Sequence, residues 1–154
     1  GLGDVYKRQD QNRQVSQAFS AKITETGEAA RRMNELLSAQ KYRMAGLEKR
    51  VFAGIAESYG NRGNVLHFEE GLSADGVREL ADAIADKCGG TAAVFSGSDG
   101  GYAYCLIARQ GDLRQLGRDM TAALHGRGGG KPLCQQGRVQ AAKEEIEAFF
   151  ADRK

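Results

Sequence analysis

A break at residues 59–64, YGNRGN, divides this chain into two segments with different patterns. Gly and Asn in such density interrupt regular structure and open turns. From about Gln11 to Tyr59 the sequence has few β-branched residues and many Ala, Glu, Arg, Gln and Leu, the composition of a helix. Met33, Leu37, Met44, Leu47 and Val51 fall on a seam of alternating fours and threes, with Gln40 inside it and Gly54 at its end. That makes about three imperfect heptads. Gly46 and Gly54 each cost roughly 1 kcal/mol against Ala in a helix interior. A helix this long and this weakly supported needs a partner surface. A coiled coil with a second chain meets that need, and so does docking on a part of the protein that precedes it.

After the break the pattern shortens and alternates. Val65-Leu66-His67-Phe68 reads as a strand. Ser73 is a good N-cap, and Val77, Leu80, Ala81, Ile84 and Cys88 follow at helical spacing until Gly89-Gly90. Residues 91–96 and 102–108 read as two strands joined by GSDGG, whose Asp-Gly pair is a strong hairpin signal. Asp112 then caps a helix, with Gln115 at capping-box spacing and Leu113, Leu116, Met120 and Leu124 on its inner stripe. A last amphipathic helix follows, marked by Val139, Ala142, Ile146, Phe149 and Phe150. The order β-α-β-β-α-loop-α gives an α+β fold: a long N-terminal helix, then a small mixed sheet with flanking helices. The first two strands are expected to run parallel and the second and third antiparallel.

Three segments result: 1–9, 10–60 and 61–154. The first nine residues, GLGDVYKRQ, join no periodic pattern, and DVYKRQ resembles an assembly scar. They are read as a scar or as disordered, the credible chain being the C-terminal part of something longer. No apolar run approaches bilayer length and no signal-peptide pattern occurs, so no membrane partner is expected and the cytoplasm is the default compartment. The three cysteines, Cys88, Cys105 and Cys134, are widely spaced and read as reduced thiols. No CxxC, HxxxH or CxxxH is present, so no metal site and no catalytic residue is assigned. His67 reads as a packed core or interface residue.

Net charge is only +2, but from Leu113 to Lys143 six cations (Arg114, Arg118, Arg127, Lys131, Arg138, Lys143) face one acid, Asp119. At the centre of that run stands GRGGGKPLCQQGR, residues 126–138, read as a glycine-rich loop between helices. Glycines let backbone N–H groups approach a ligand, and consecutive N–H groups form an anion nest. A helix beginning near Gln135–Arg138 would point its positive N-terminus at the loop. Arg127, Gly128, Gly129, Gly130, Lys131, Gln136, Gly137 and Arg138 are therefore the candidate phosphate-binding residues. The spacing fits neither a Walker loop nor a dinucleotide fingerprint. A flexible connection with incidental charge is the alternative, and the entropy cost of ordering five glycines weighs against it. Tyr102 and Tyr104, alternating on one strand, offer either base stacking or packing beneath a helix.

The run SGSDGGYAYCLIARQGDLRQLGRDMTAALHGRGGGKPLCQQGRVQA resembles the DHH-associated domain at the C-terminus of alanyl-tRNA synthetases and free-standing alanyl-tRNA editing proteins. Gly128-Gly129-Gly130-Lys131-Pro132 matches the family's GGG[RK]P stretch, and Gln136-Gly137 its Gln-Gly pair. NRQVSQAFSAKITETGEAARRM resembles the linker helix that follows the editing domain. The likeness covers about residues 10 to 150.

That resemblance implies translation quality control: tRNA as partner, and a parent protein that hydrolyses Ser or Gly misattached to alanine tRNA. The zinc cofactor and its HxxxH and CxxxH motifs would lie upstream, leaving this part non-catalytic and without a cofactor of its own. Lys131 and CQQGRV stand where synthetases commonly carry Arg and a glycine-rich string, which favours the editing protein over the synthetase. A module that only dimerises, through the long helix, is the reading from a different class. A phosphoesterase-associated domain is weaker, since no acidic metal cluster accompanies it.

Overall fold

The computed structural model describes residues 1–98 and 100–153. It divides into two compact units, Gly1–Leu47 and Glu48–Lys154. Helix α1 spans Leu2–Ser58 and so includes residues 2–9, which fit no pattern in the sequence. In the first unit every residue is exposed, including Phe19, Ile23, Met33, Leu37, Met44 and Leu47. No helix among the described residues is long and apolar enough to cross a membrane.

The second unit begins within α1 rather than at the glycine-rich break, because Phe52 and Ala56 are buried against the sheet. Its elements are β1 (Gly63–Glu69), α2 (Ala74–Cys88), β2 (Gly89–Ser98), β3 (Gly101–Ala108), α3 (Arg114–Ala123), β4 (Arg127–Lys131), β5 (Cys134–Val139) and α4 (Lys143–Ala151). The five strands lie in the order β1-β2-β3-β5-β4. β1 and β2 are parallel, as their helical crossover requires, and β2–β3, β3–β5 and β4–β5 are antiparallel. The fold is α+β.

Alternation along the strands sends side chains into two cores. Ala92, Val94, Cys105 and Ile107 meet Val77, Leu80, Ala81 and Ile84 of α2 and the end of α1. Ala93, Phe95, Tyr102, Tyr104 and Leu106 meet Met120 of α3, Leu124 and Ile146 of α4. Each fully buried Leu or Ile contributes about 1.5–3 kcal/mol. Ser73 Oγ accepts the Gly76 N–H at 3.1 Å, and Gly89 closes α2 in the left-handed conformation at φ 76°. β2 and β3 form the expected hairpin, with Ser98 paired to Gly101 at its end. Gly100 has φ 89°, and Asp99 of the Asp-Gly pair lies outside the described residues.

Two expectations need correction. The stretch 126–138 is no loop between helices but the hairpin β4–β5, turned at Pro132-Leu133. The last helix accordingly starts at Lys143, not near Gln135–Arg138, and Val139 ends a strand. Glu145 accepts the Ala142 N–H at 2.9 Å there, half of a capping box, because alanine has no side-chain acceptor to return. Asp112 and Gln115 form no capping box either. Asp112 accepts the Arg114 N–H at 2.9 Å and pairs with its guanidinium, while Gln115 bonds Asp119.

Candidate anion-binding groove

The hairpin stands at one edge of the sheet, and register fixes what its residues face. Arg127 lies directly opposite Arg138, and Gly129 opposite Gln136. Arg138 and Gln136 in turn stand opposite Ala103 and Cys105 of β3, which belong to the α2 side. The first turns of α2 bring Ala74, Asp75 and Arg78 to the same side. Together with Arg127, Gln136 and Arg138 they line an open groove of about 940 Å³, joined by Tyr104, His125, Gly137 and Gln140.

Three guanidinium groups and one carboxylate, Asp75, are thus gathered in one concavity. Among the described residues neither Arg78, Arg127 nor Arg138 enters an ion pair. Some arginines elsewhere are matched: Arg109 reaches Asp82 and Asp86, and Arg114 reaches Asp112, whereas Arg118 bonds only the neutral Gln115. Like charges directly across an antiparallel pair destabilise it unless a counter-charge intervenes. A walled concavity with an excess of positive charge concentrates anions. The arrangement can bind phosphate or carboxylate groups. It offers no nucleophile–base pair, and no group of three or more metal-ligating side chains occurs among the described residues.

Of the residues picked out in the sequence, Arg127, Gln136, Gly137 and Arg138 come together here. Lys131 does not: it pairs with Cys134 at the turn, four residues from Arg138 along β5, roughly 13 Å away at strand spacing. Gly128, Gly129 and Gly130 lie outside the groove lining as well. No nest of consecutive N–H groups exists in the hairpin, because the stretch is extended and its N–H groups alternate across the strand. No helix N-terminus points at it from the C-terminal side. Arg78 was missed in the sequence, since only the packing of α2 on the sheet brings it there.

The glycines serve the chain itself at most positions. A Cβ on Gly137 would collide with the Arg127 carbonyl and stand 2.5 Å from Gly128 Cα. One on Gly128 would strike the Tyr104 hydroxyl and the Gln136 carbonyl. Tyr104 stands opposite Gly137 and crosses it towards Gly128, an aromatic ring covering two bare glycines. Gly129 alone of the three central glycines has open space where a side chain would go.

Tyr104 is 2% exposed, so packing, not base stacking, is its role; Tyr102 is buried too. The Tyr104 hydroxyl is buried and has no hydrogen-bond partner among the described residues. Burial pushes its pKa above the ordinary tyrosine value. The hairpin tip is held by the chain around α3: Leu113 N–H donates to the Pro132 carbonyl at 2.7 Å and Ala108 N–H to the Leu133 carbonyl at 3.1 Å. Gln135, buried on the opposite face, donates to the Lys131 carbonyl at 2.7 Å and packs where Gly117 leaves room. His67 bonds Tyr59 at 2.8 Å and Glu69 at 2.9 Å, fastening the end of α1 to β1.

A family model described as the DHHA1 domain matches residues 61–152. No curated protein sequence matches the chain. Among solved structures, the C-Ala domain from Aquifex aeolicus alanyl-tRNA synthetase is similar at 19% identity and a TM-score of 0.46, over 54% of this chain and 85% of that one.

Proposed function

Because the chain belongs to the DHHA1 domain family, we propose that it is the tRNA-binding C-terminal module of an alanyl-tRNA editing protein. The groove between α2 and the β4–β5 hairpin takes the ribose-phosphate backbone. The observation that carries this reading is a set of three arginines, Arg78, Arg127 and Arg138, without an ion pair among the described residues and gathered around one open concavity. Gln136 adds a neutral donor and acceptor beside them. Lys131, further along the hairpin, suits a second phosphate on the same strand of RNA. Hydrolysis of Ser- or Gly-tRNA(Ala) belongs to a zinc editing site outside this sequence, held by HxxxH and CxxxH motifs that these residues do not include. Lys131 and CQQGRV support an editing protein over a synthetase.

Arginines that meet phosphates position RNA without reading its sequence. Arg127→Ala and Arg138→Ala are each expected to weaken all tRNAs alike and to reduce the slope of log affinity against log salt by about 0.7 to 0.9. Gly129→Val, beside the groove and not in its lining, adds a side chain whose Cβ meets no described atom within 4 Å, so it tests close approach of RNA to the hairpin. Filter binding across a salt series, with circular dichroism as the folding control, decides. Folded variants that keep both affinity and slope would remove the groove from RNA binding.

A second reading is favoured by α1, whose Met33, Leu37, Met44, Leu47 and Val51 are all exposed. An apolar seam of this kind is covered by a second copy in a homodimer or by the editing domain. It is compatible with RNA binding in the groove.

A further inference from the structure

Cys105 on β3 and Cys134 on β5 carry free thiols whose sulfurs are 4.0 Å apart. Cys134 stands opposite Ile107, and Cys105 opposite Gln136, so the two are diagonal neighbours on the α2 face of the sheet. Cys105 is buried, whereas Cys134 is half-buried and lines a second open groove of about 530 Å³ beside Arg78 and Asp82. Cys88 is buried at the end of α2, where its sulfur accepts the Gly90 N–H. One thiol is therefore reachable from solvent, with a second in contact behind it.

We propose that Cys134 and Cys105 form a reversible redox modification site, in which a small disulfide oxidant is captured at Cys134 and resolved by Cys105. In the first step the Cys134 thiolate attacks one sulfur of the oxidant RSSR. The RS–SR bond breaks, a Cys134–S–SR bond forms, and the departing thiolate takes up the proton that Cys134 lost, leaving as RSH. In the second step Cys105 gives up its proton and attacks Cys134 Sγ. The bond to SR breaks, the Cys105–Cys134 bond forms, and a second RSH departs with that proton. Two protein thiols lose two electrons in all, and one RSSR becomes two RSH.

Burial, then the neighbouring Cys134, pushes the Cys105 thiol well above the usual range. Capping Cys134 as a mixed disulfide removes the second of these contributions, so capture prepares resolution. The second step is still the slow one, because only a thiolate attacks.

A disulfide needs its sulfurs at about 2.05 Å, so closing this one draws β5 towards β3. Diagonal cross-strand positions are wide for that bond, and strained disulfides are the readily reduced ones. β5 also carries Gln136 and Arg138, so, on the RNA-binding reading above, oxidation reshapes the same groove.

The test is made on the full chain without RNA, so its failure is separate from failure of that reading. The protein is incubated with glutathione disulfide, quenched in acid, unfolded, alkylated and weighed intact. Two of the three cysteines are expected to escape alkylation, with peptide mapping joining Cys105 to Cys134 and dithiothreitol restoring all three. In Cys105→Ala the glutathione adduct is expected to persist at Cys134, because nothing resolves it. Three alkylated cysteines after exposure, a lasting adduct at Cys134 in the wild type, or a bridge that includes Cys88 would each overturn the proposal.

Discussion

Gly137→Ala and Gly129→Ala make the same chemical change in paired strands, and the structure assigns them opposite signs. A Cβ added at Gly137 would sit 2.5 Å from Gly128 Cα and against the Arg127 carbonyl oxygen. Carbon atoms pack best at about 3.5–4.0 Å, so β4 must retreat by roughly 1 Å. Both obstacles are backbone, and no side chain can swing aside. Overpacking of this kind costs about 1–3 kcal/mol, with backbone collisions at the upper end. At position 129 an added Cβ meets nothing within 4 Å. Alanine there restricts the unfolded chain and is expected to stabilise by about 0.4–1 kcal/mol.

For a unit of roughly a hundred residues, 1 kcal/mol moves Tm by about 4 °C. Gly137→Ala should therefore melt roughly 4–12 °C below wild type, and Gly129→Ala about 2–4 °C above it. Calorimetry of the two variants beside the wild type makes the measurement, and urea midpoints provide the isothermal check. Equal destabilisation by both substitutions would refute the reasoning. Gly129 would then serve the fold in a way that the open space around it does not account for.

Two further outcomes follow from exposed and buried extremes. Tyr104→Phe removes a buried hydroxyl that lacks a partner among the described residues; since leaving such a group unpaired costs about 1–3 kcal/mol, the variant is expected to melt higher, and a lower Tm would mean that the hydroxyl is satisfied in solution. The exposed seam of α1 should drive association, read by sedimentation as a dimer that Leu37→Glu with Leu47→Glu returns to monomer, whereas a wild-type monomer at high concentration would leave the seam to another domain.

What the sequence disclosed was local. Ser73, Val77, Leu80, Ala81, Ile84 and Gly89 announce α2 by cap, stripe and stop, and each does in the structure what its position implies. The crossover between the first strands dictated their parallel pairing. What stayed hidden was tertiary. Gly128-Gly129-Gly130 has no strand propensity, and becomes a strand because Tyr104, some two dozen residues earlier, covers Gly137 and reaches Gly128. A signal was available in CQQGRV: Cys134, Gln136 and Arg138 alternate with Gln135, Gly137 and Val139, and Lys131-Pro132-Leu133-Cys134 has proline at the second position of a turn. Reading the glycines as an anion-binding loop between helices concealed that alternation. Arg127 and Arg138 were legible as part of a local cluster around the hairpin, but Arg78 lies far upstream and joins them only by packing.

Two locally unfavourable features adjoin one another in this fold. Arg127 and Arg138 stand opposite each other on adjacent strands, neither in an ion pair among the described residues, at a cost of about 0.2–1 kcal/mol. One position away, Tyr104 holds a buried hydroxyl without a partner among the described residues. Hydrophobic packing elsewhere in the domain does not require either: phenylalanine fills the same space, and any neutral side chain would spare the strand pair its repulsion. Such violations of local consistency collect where a protein meets something else. On the proposed reading a bound anion would supply the missing counter-charge to both arginines at once, so the pair that weakens the free domain would favour the complex. That coupling predicts a joint signature, in which replacing Arg138 by Gln raises the melting temperature of the free protein while lowering its affinity for tRNA. A variant that loses affinity and stability together would instead make Arg138 a structural residue of the hairpin.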